Sequence, residues 1–445
     1  MRRGLIEKDS FMKSNQIRFF TRREFITRGL GIVAVATTIP SFLARAAFAV
    51  EGSANAPLLG VNRDGKVLVV IQLSGGNDGL NTVIPFSHDA YYRARPSLAV
   101  AKENVLRVTD DIGLHPNLAP LKELYDAGKL AVIQGVGYPN PDRSHFRSME
   151  IWQSGITDGF ETTGWIGRMF DHTCNNTHLN PDSRSAVGSG ETRGLLGSPT
   201  LGVSIDEILN PALNCNCSVG VALRDPEQFY RMTRVSARAE KSKEGGTPST
   251  VASQIDFLRR TAMNAEVSAD RIRRSVRSVQ TKTDYPKEPF AQGMKLIAAM
   301  IAGGMDTRVY YISLGGFDTH ANQQGAHERL LKTLAEGIGA FQKDLEALGQ
   351  AERVLGFTFS EFGRRVAENG SRGTDHGQAA PMFVFGKTVK PGVIGPHPSL
   401  EDLNGGDLKF KTDFRQVYAT ALEKWMEVDS SKILSQKFDP LPFVA

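Results

Sequence analysis

Residues Gly373 to Gly386 read GTDHGQAAPMFVFG, so a carboxylate and an imidazole, Asp375 and His376, share a glycine-flanked turn that leads into the apolar run Met382-Phe383-Val384-Phe385. A turn favours Gly, Asn and Asp for conformational reasons and has no such need of a histidine. Four other short stretches carry comparable side chains: Asn77-Asp78 after Ser74-Gly75-Gly76, Asp142-Arg143-Ser144-His145 after Gly137-Tyr138-Pro139, Asp318-Thr319-His320 after Gly315-Gly316-Phe317, and Ser360-Glu361-Phe362-Gly363-Arg364-Arg365. Oxygen and imidazole donors of this kind coordinate divalent cations, with zinc, manganese, calcium and magnesium all within their range.

Each residue also has an ordinary role open to it. Asp78 in GGNDGLN is a good turn residue, and its glycine-rich loop could cradle a phosphate, although the glycine spacing matches neither a dinucleotide nor a P-loop fingerprint. Asp318 and His320 could cap a helix that begins near Gln324. Glu361 could pair with Arg364 or Arg365, and His115 in Leu114-His115-Pro116 reads as a capping or core histidine.

What favours a shared site is the position of these stretches relative to the elements around them. Lys66 to Ser74, Leu130 to Gly137, Thr307 to Gly315, Val354 to Ser360 and Met382 to Gly386 are short apolar runs rich in Val, Ile, Phe and Tyr. Such runs form strands buried on both faces. Helical patterns lie between them at Asn117 to Ala127, Ala291 to Ala302 and Gln324 to Leu348. The alternation predicts an α/β fold with a doubly wound, mostly parallel sheet, whose ligands bind at the carboxyl ends of the strands. Four of the chemistry-bearing stretches follow a strand. Asp375 and His376 precede one, and reach the same edge if that strand runs in the opposite direction or its turn folds over the sheet.

The N-terminus calls for a separate reading. Thr21-Arg22-Arg23-Glu24-Phe25-Ile26, the apolar run Leu30 to Leu43 and Ala47-Phe48-Ala49 predict a twin-arginine signal peptide over residues 1–49. The run is shorter than the roughly 20 residues a membrane span needs. The expected destination is the periplasm or the exterior, with the twin-arginine translocase as export partner and no transmembrane anchor in the mature chain. Nine of the 53 Lys/Arg and three of the 48 Asp/Glu fall in those 49 residues, leaving 44 basic against 45 acidic. The basic balance therefore belongs to the signal, and a nucleic-acid role loses its support. Cys174, Cys215 and Cys217 are odd in number, and Cys215-Asn216-Cys217 would close too tight a ring for a disulfide. Between about 165 and 280 the composition turns to Asn, Ser, Gly, Arg and Pro, which predicts an inserted cap or mobile region within a 50–445 domain. The arginine-rich helix expected from Ser253 to Val279 reads as a solvated face or a basic lid.

The ordered motifs KVLVVIQLSGGNDGLNTVIPF, LAVIQGVGYPNPDRSHFRSMEIWQSG, GWIGR, YYISLGGFDTH, FTFSEFGRRVAENGSRGTDHGQAAPMFVFG and DFRQVYATAL resemble the DUF1501 family of twin-arginine-exported proteins. That family is grouped by fold with the alkaline phosphatase and sulfatase superfamily, which builds a two-metal site on a doubly wound sheet. The resemblance implies metal ligands at Asp78, Asp318, His320, Glu361 and His376, with Asn77 and Asp375 supporting them and Asp375 orienting His376. It places the nucleophile at Ser144, with His145 as the alternative nucleophile or ligand and Arg143 or Arg147 holding an anion. Phe362 stands where a second imidazole would be. The implied function is an exported hydrolase of small phosphate or sulfate esters using one or two divalent ions. The alternative is an envelope protein that binds metal without catalysis.

Overall fold

The computed structural model describes residues 65–177, 200–216, 220–241 and 265–444. The predicted signal peptide lies outside them. The main sheet contains β1 (Val67–Ser74), β2 (Leu130–Gly137), β3 (Gly202–Ile205), β4 (Gly220–Ala222), β5 (Val309–Gly315), β6 (Val354–Phe359), β7 (Ala380–Phe385), β8 (Gly392–Ile394) and β9 (Thr412–Asp413). Its order is β8-β2-β7-β6-β1-β5-β3-β4, with β9 paired to β2. β1 is central and parallel to β5 on one side and β6 on the other.

The central strands are largely apolar because both faces of the sheet are covered. Side chains alternate across a strand, so Val67, Val69, Ile71 and Leu73 face one layer and Leu68 and Val70 the other. The first layer comprises α1 (Ala119–Asp126), α4 (Pro289–Ala302) and α5 (Gln323–Ala347), packing through Leu121, Leu124, Met294, Ile297, Leu331 and Ile338. The second comprises α2 (His145–Ser154), α3 (Trp165–Thr177) and α6 (Phe414–Thr420), through Ile151, Trp152, Trp165, Val417 and Tyr418. This is the doubly wound, mostly parallel arrangement the alternation predicts. His115 accepts a hydrogen bond at Nδ1 from the Asn117 amide at 3.1 Å, a capping role.

The 165–280 region differs from a simple inserted cap. It supplies β3 and β4, which extend the sheet beyond β5 in parallel register, Val203 opposite Tyr310 and Val221 opposite Val203. Runs of four and three residues in a polar context are too short for periodicity to reveal, and their place is fixed by burying Val203 and Val221 against the core. Four arginines of the helix over 265–278 are held in ion pairs, Arg271 with Asp306, Arg273 and Arg277 with Glu227, and Arg274 with Asp270. Among the described residues no helix is long and apolar enough to cross a membrane.

Candidate metal centre

Five chain segments meet at the carboxyl edge of β1, β5 and β6. The loop after β1 makes a close approach through two glycines, Gly75 at φ +122° and Gly76 at φ +81°. A Cβ on Gly75 would lie 2.4 Å from the Asp318 amide nitrogen, and one on Gly76 would lie 2.4 Å from the Phe362 ring. Only glycine adopts both the backbone conformation and the proximity without strain. β5 delivers Asp318 and His320, β6 delivers Glu361 to Arg364, and β2 leads to His145 in the first turn of α2. β7 is antiparallel to both β2 and β6, so the turn preceding it, with Asp375 and His376, lies at this same edge. A bridge between Arg364 and His376 joins the two segments.

Three imidazoles are oriented alike. His145 Nδ1 is 2.8 Å from Glu361 Oε1, His376 Nδ1 is 2.8 Å from the Arg143 carbonyl, and His320 Nδ1 is 3.3 Å from Asp375 Oδ1. An oxygen acceptor on Nδ1 makes that nitrogen the donor and leaves Nε2 with its lone pair. All three Nε2 atoms face Asp318: His320 at 3.0 Å and His376 at 3.1 Å from Oδ1, and His145 at 3.5 Å from Oδ2. His320 and His376 bring their Nε2 atoms within 2.9 Å of each other.

Below this cluster lies a buried cation. Arg364, with a fully buried side chain, donates to the carbonyls of Gly75, Gly76, Phe317 and Thr374 and to Asp318 Oδ1 at 2.7 Å. Partial burial would raise the Asp318 pKa, but the hydrogen bond and the charge of the Arg364 guanidinium outweigh it and hold the carboxyl well below its usual range. Phe362 is buried, with its ring centroid 4.9 Å from that of His145 and 4.5 Å from that of His376 in tilted contacts, so the position where a further imidazole would be expected is an apolar wall of the site.

The residues expected at the site are divided by the structure. Asp318, His320 and His376 come together, with His145 beside them. Asp78 does not join them: its carboxylate is fully buried and bonded to Arg95 at 2.5 Å and to Gln323. Burial works against ionisation there, yet Arg95 lowers its pKa. Asn77 lies with it, accepting from Thr82 Oγ1 and facing His327 Nε2 at 3.0 Å. Glu361 takes the Gly75 amide and His145 Nδ1, so it orients an imidazole. Asp375 orients His320 where His376 was expected; the Arg143 carbonyl serves His376 instead. The Arg143 guanidinium is engaged by Asp407, and Arg147 by Glu150 and the Thr157 and Gly159 carbonyls. Ser144 is exposed at the start of α2 and makes no capping hydrogen bond with its hydroxyl. Arg95 and Gln323 carried no local signal in the sequence, because their partner Asp78 reaches them only through tertiary packing.

A divalent cation suits part of this arrangement. His145, Asp318 and His376 each offer one ligand atom, and these atoms lie within 4.8 Å of one another. Two lone-pair nitrogens at 2.9 Å need a proton or a cation between them, and oxygen acceptors behind metal-ligating histidines are the usual support. On the Asp78 side the carboxylate is taken by a guanidinium, and the nearby imidazole of His327 turns its Nε2 to Asn77.

No curated protein sequence matches the chain significantly. Among solved structures it is similar to the lipoteichoic acid synthase LtaP from Listeria monocytogenes, at 10% identity over 90% of this chain and 80% of that one, with a TM-score of 0.35. It is also similar to the PsFucS1 sulfatase from Pseudoalteromonas sp., at 10% identity over 84% and 70% with a TM-score of 0.35, and to a protein in the alkaline phosphatase superfamily from Vibrio parahaemolyticus, at 8% over 82% and 72% with a TM-score of 0.31. Likeness at this level carries no substrate or activity across. The family described as "Protein of unknown function (DUF1501)" matches residues 65–436, the span that holds the whole sheet and every residue of the cluster, and the chain belongs to that family.

Proposed function

We propose that this protein is an exported, metal-dependent hydrolase of phosphate or sulfate esters, in which His145, His320, His376 and Asp318 hold a divalent cation. The observation that carries this reading is the shared orientation of the three imidazoles, each with Nδ1 on an oxygen acceptor and Nε2 toward Asp318. Three nitrogens and one carboxylate form a donor set of the catalytic-zinc kind. When bound, such a cation polarises the ester and stabilises charge developing on its oxygens.

The protein's own groups supply the remainder. Glu361 and the Arg143 carbonyl fix the rings of His145 and His376, and Arg364 keeps Asp318 ionised. Ser144, exposed beside His145, is the nucleophile: its oxygen bonds to phosphorus or sulfur as the bond to the alcohol oxygen breaks, and its proton passes to the departing alcohol through solvent. Water then cleaves the serine ester. Arg143 and Arg147 are both engaged elsewhere, so neither clamps the substrate.

The non-catalytic, metal-binding reading draws on one observation, the enclosure of Asp78 behind Arg95. Ester hydrolysis by metal-loaded mature protein separates the two. In the hydrolase, Ser144→Ala abolishes turnover of phosphate and sulfate esters while metal content and folding persist, whereas His376→Ala loses metal first. If metal-loaded wild type hydrolyses no ester in a broad panel and Ser144→Ala behaves identically in every assay, the binding reading replaces it.

A further inference from the structure

Two carboxylates at this edge are matched to two buried guanidinium groups. Arg95 and Asp78 have no exposed side-chain surface, and Arg95 also donates to Asn81 and to the backbone carbonyls of Val366 and Arg365. Arg364 is similarly enclosed and binds Asp318 and the ends of three loops. An arginine in a protein does not give up its proton, so both positive charges are permanent.

A two-metal centre needs a second set of anionic and imidazole donors about 3.5–4 Å from the first ion. Among the described residues, the donors expected for it are engaged elsewhere. Phe362 packs against His145 and His376, Glu361 Oε1 is shared by the Gly75 amide and His145, and Asp78 Oδ2 is taken by Arg95 and Gln323. Asp78 Oδ1 is buried with no hydrogen-bond partner, so its part in metal binding is the point to test directly.

We propose that the centre holds a single divalent cation, and that the guanidinium groups of Arg95 and Arg364 permanently supply the positive charge a second cation would bring. This rests on the metal reading above and does not depend on hydrolysis. The fixed charges keep Asp78 and Asp318 ionised and the strand-end loops in place whether or not metal is present.

The test uses mature protein stripped with a chelator and titrated with Zn²⁺ alone, with bound metal counted by atomic emission. Wild type is expected to take one equivalent. The double variant Asp78→Asn/Arg95→Gln removes both charges together, and it should also take one equivalent with affinity within about three-fold of wild type. Asp318→Asn, which alters a ligand itself, should weaken binding by at least the roughly 100-fold that marks the upper range for losing a partner behind a ligand. Two equivalents in wild type, or weaker binding in a folded double variant, overturns the single-ion proposal while leaving the metal reading intact. No binding by wild type removes both. Should the double variant not fold, X-ray absorption on wild type decides: a metal–metal distance near 3.5–4 Å refutes the proposal, and its absence supports it.

Discussion

His320 and His376 hold their Nε2 atoms 2.9 Å apart while Asp375 and the Arg143 carbonyl engage the opposite nitrogens. Two lone pairs at that distance repel unless something positive lies between them. A divalent ion should therefore stabilise the fold, by about 2.7 kcal/mol when present at 100 times its dissociation constant. Thermal unfolding with and without Zn²⁺ measures this. The upward shift in midpoint should be absent in His376→Ala and retained in Ser144→Ala; a shift of equal size in His376→Ala would remove His376 from the centre.

Arg364 is expected to be among the costliest residues to truncate. Arg364→Ala strips hydrogen bonds from four buried carbonyls and leaves Asp318 without its guanidinium. Asp318 is about half exposed, so the cost comes mainly from the buried carbonyls left unpaired, roughly 1–3 kcal/mol for each that finds no new partner. Urea unfolding of metal-free protein is the measurement, and a loss below about 1 kcal/mol would mean that the loops hold their places without it.

His327 gives the fold a pH dependence away from the cluster of His145, His320, His376 and Asp318. Burial, reinforced by His115 and the nearby arginines and opposed by Asp78, pushes its pKa down to about 4. The folded-state value lies below the unfolded one, so the unfolded chain takes up a proton first as pH falls. Stability is then full above the ordinary imidazole value of about 6.5 and is lost as pH drops toward 4, by roughly 3 kcal/mol in total. Urea midpoints at pH 7 and 4.5 should show this decline in wild type. His327→Gln, which keeps a donor toward Asn77, should show a smaller one; an identical decline would place its source elsewhere.

Replacing Arg22 and Arg23 together by Lys should leave the precursor in the cytoplasm, because a guanidinium pair is recognised by its planar geometry as well as its charge. Fractionation of cells expressing the variant tests this. Normal amounts in the envelope fraction would rule out twin-arginine export.

The sequence by itself determined the sheet and its working edge. VLVVIQL, LAVIQGVG, VYYISLG and VLGFTF have no polar alternation and read as strands covered on both faces; Asp318, His320 and Glu361 lie within a few residues of such a strand's end, and His145 lies on the segment that follows another. The reach of a short loop is small, which is why those residues could be placed from sequence order alone. Tertiary structure decided the pairings. Whether Asp375 and His376 arrive at this edge depends on β7 running antiparallel to β2 and β6, a matter of strand order that no local pattern encodes. Arg95 is 17 residues from Asp78, and Arg364 is 46 from Asp318. Each guanidinium lies on a separate segment from its carboxylate, and only the packed fold brings the charges together and, for Arg95 and Asp78, excludes the water that would otherwise screen them. GVSI and GVA become strands for a related reason: too short to declare themselves, the first is fixed by the edge of β5 and the second by the edge the first then presents.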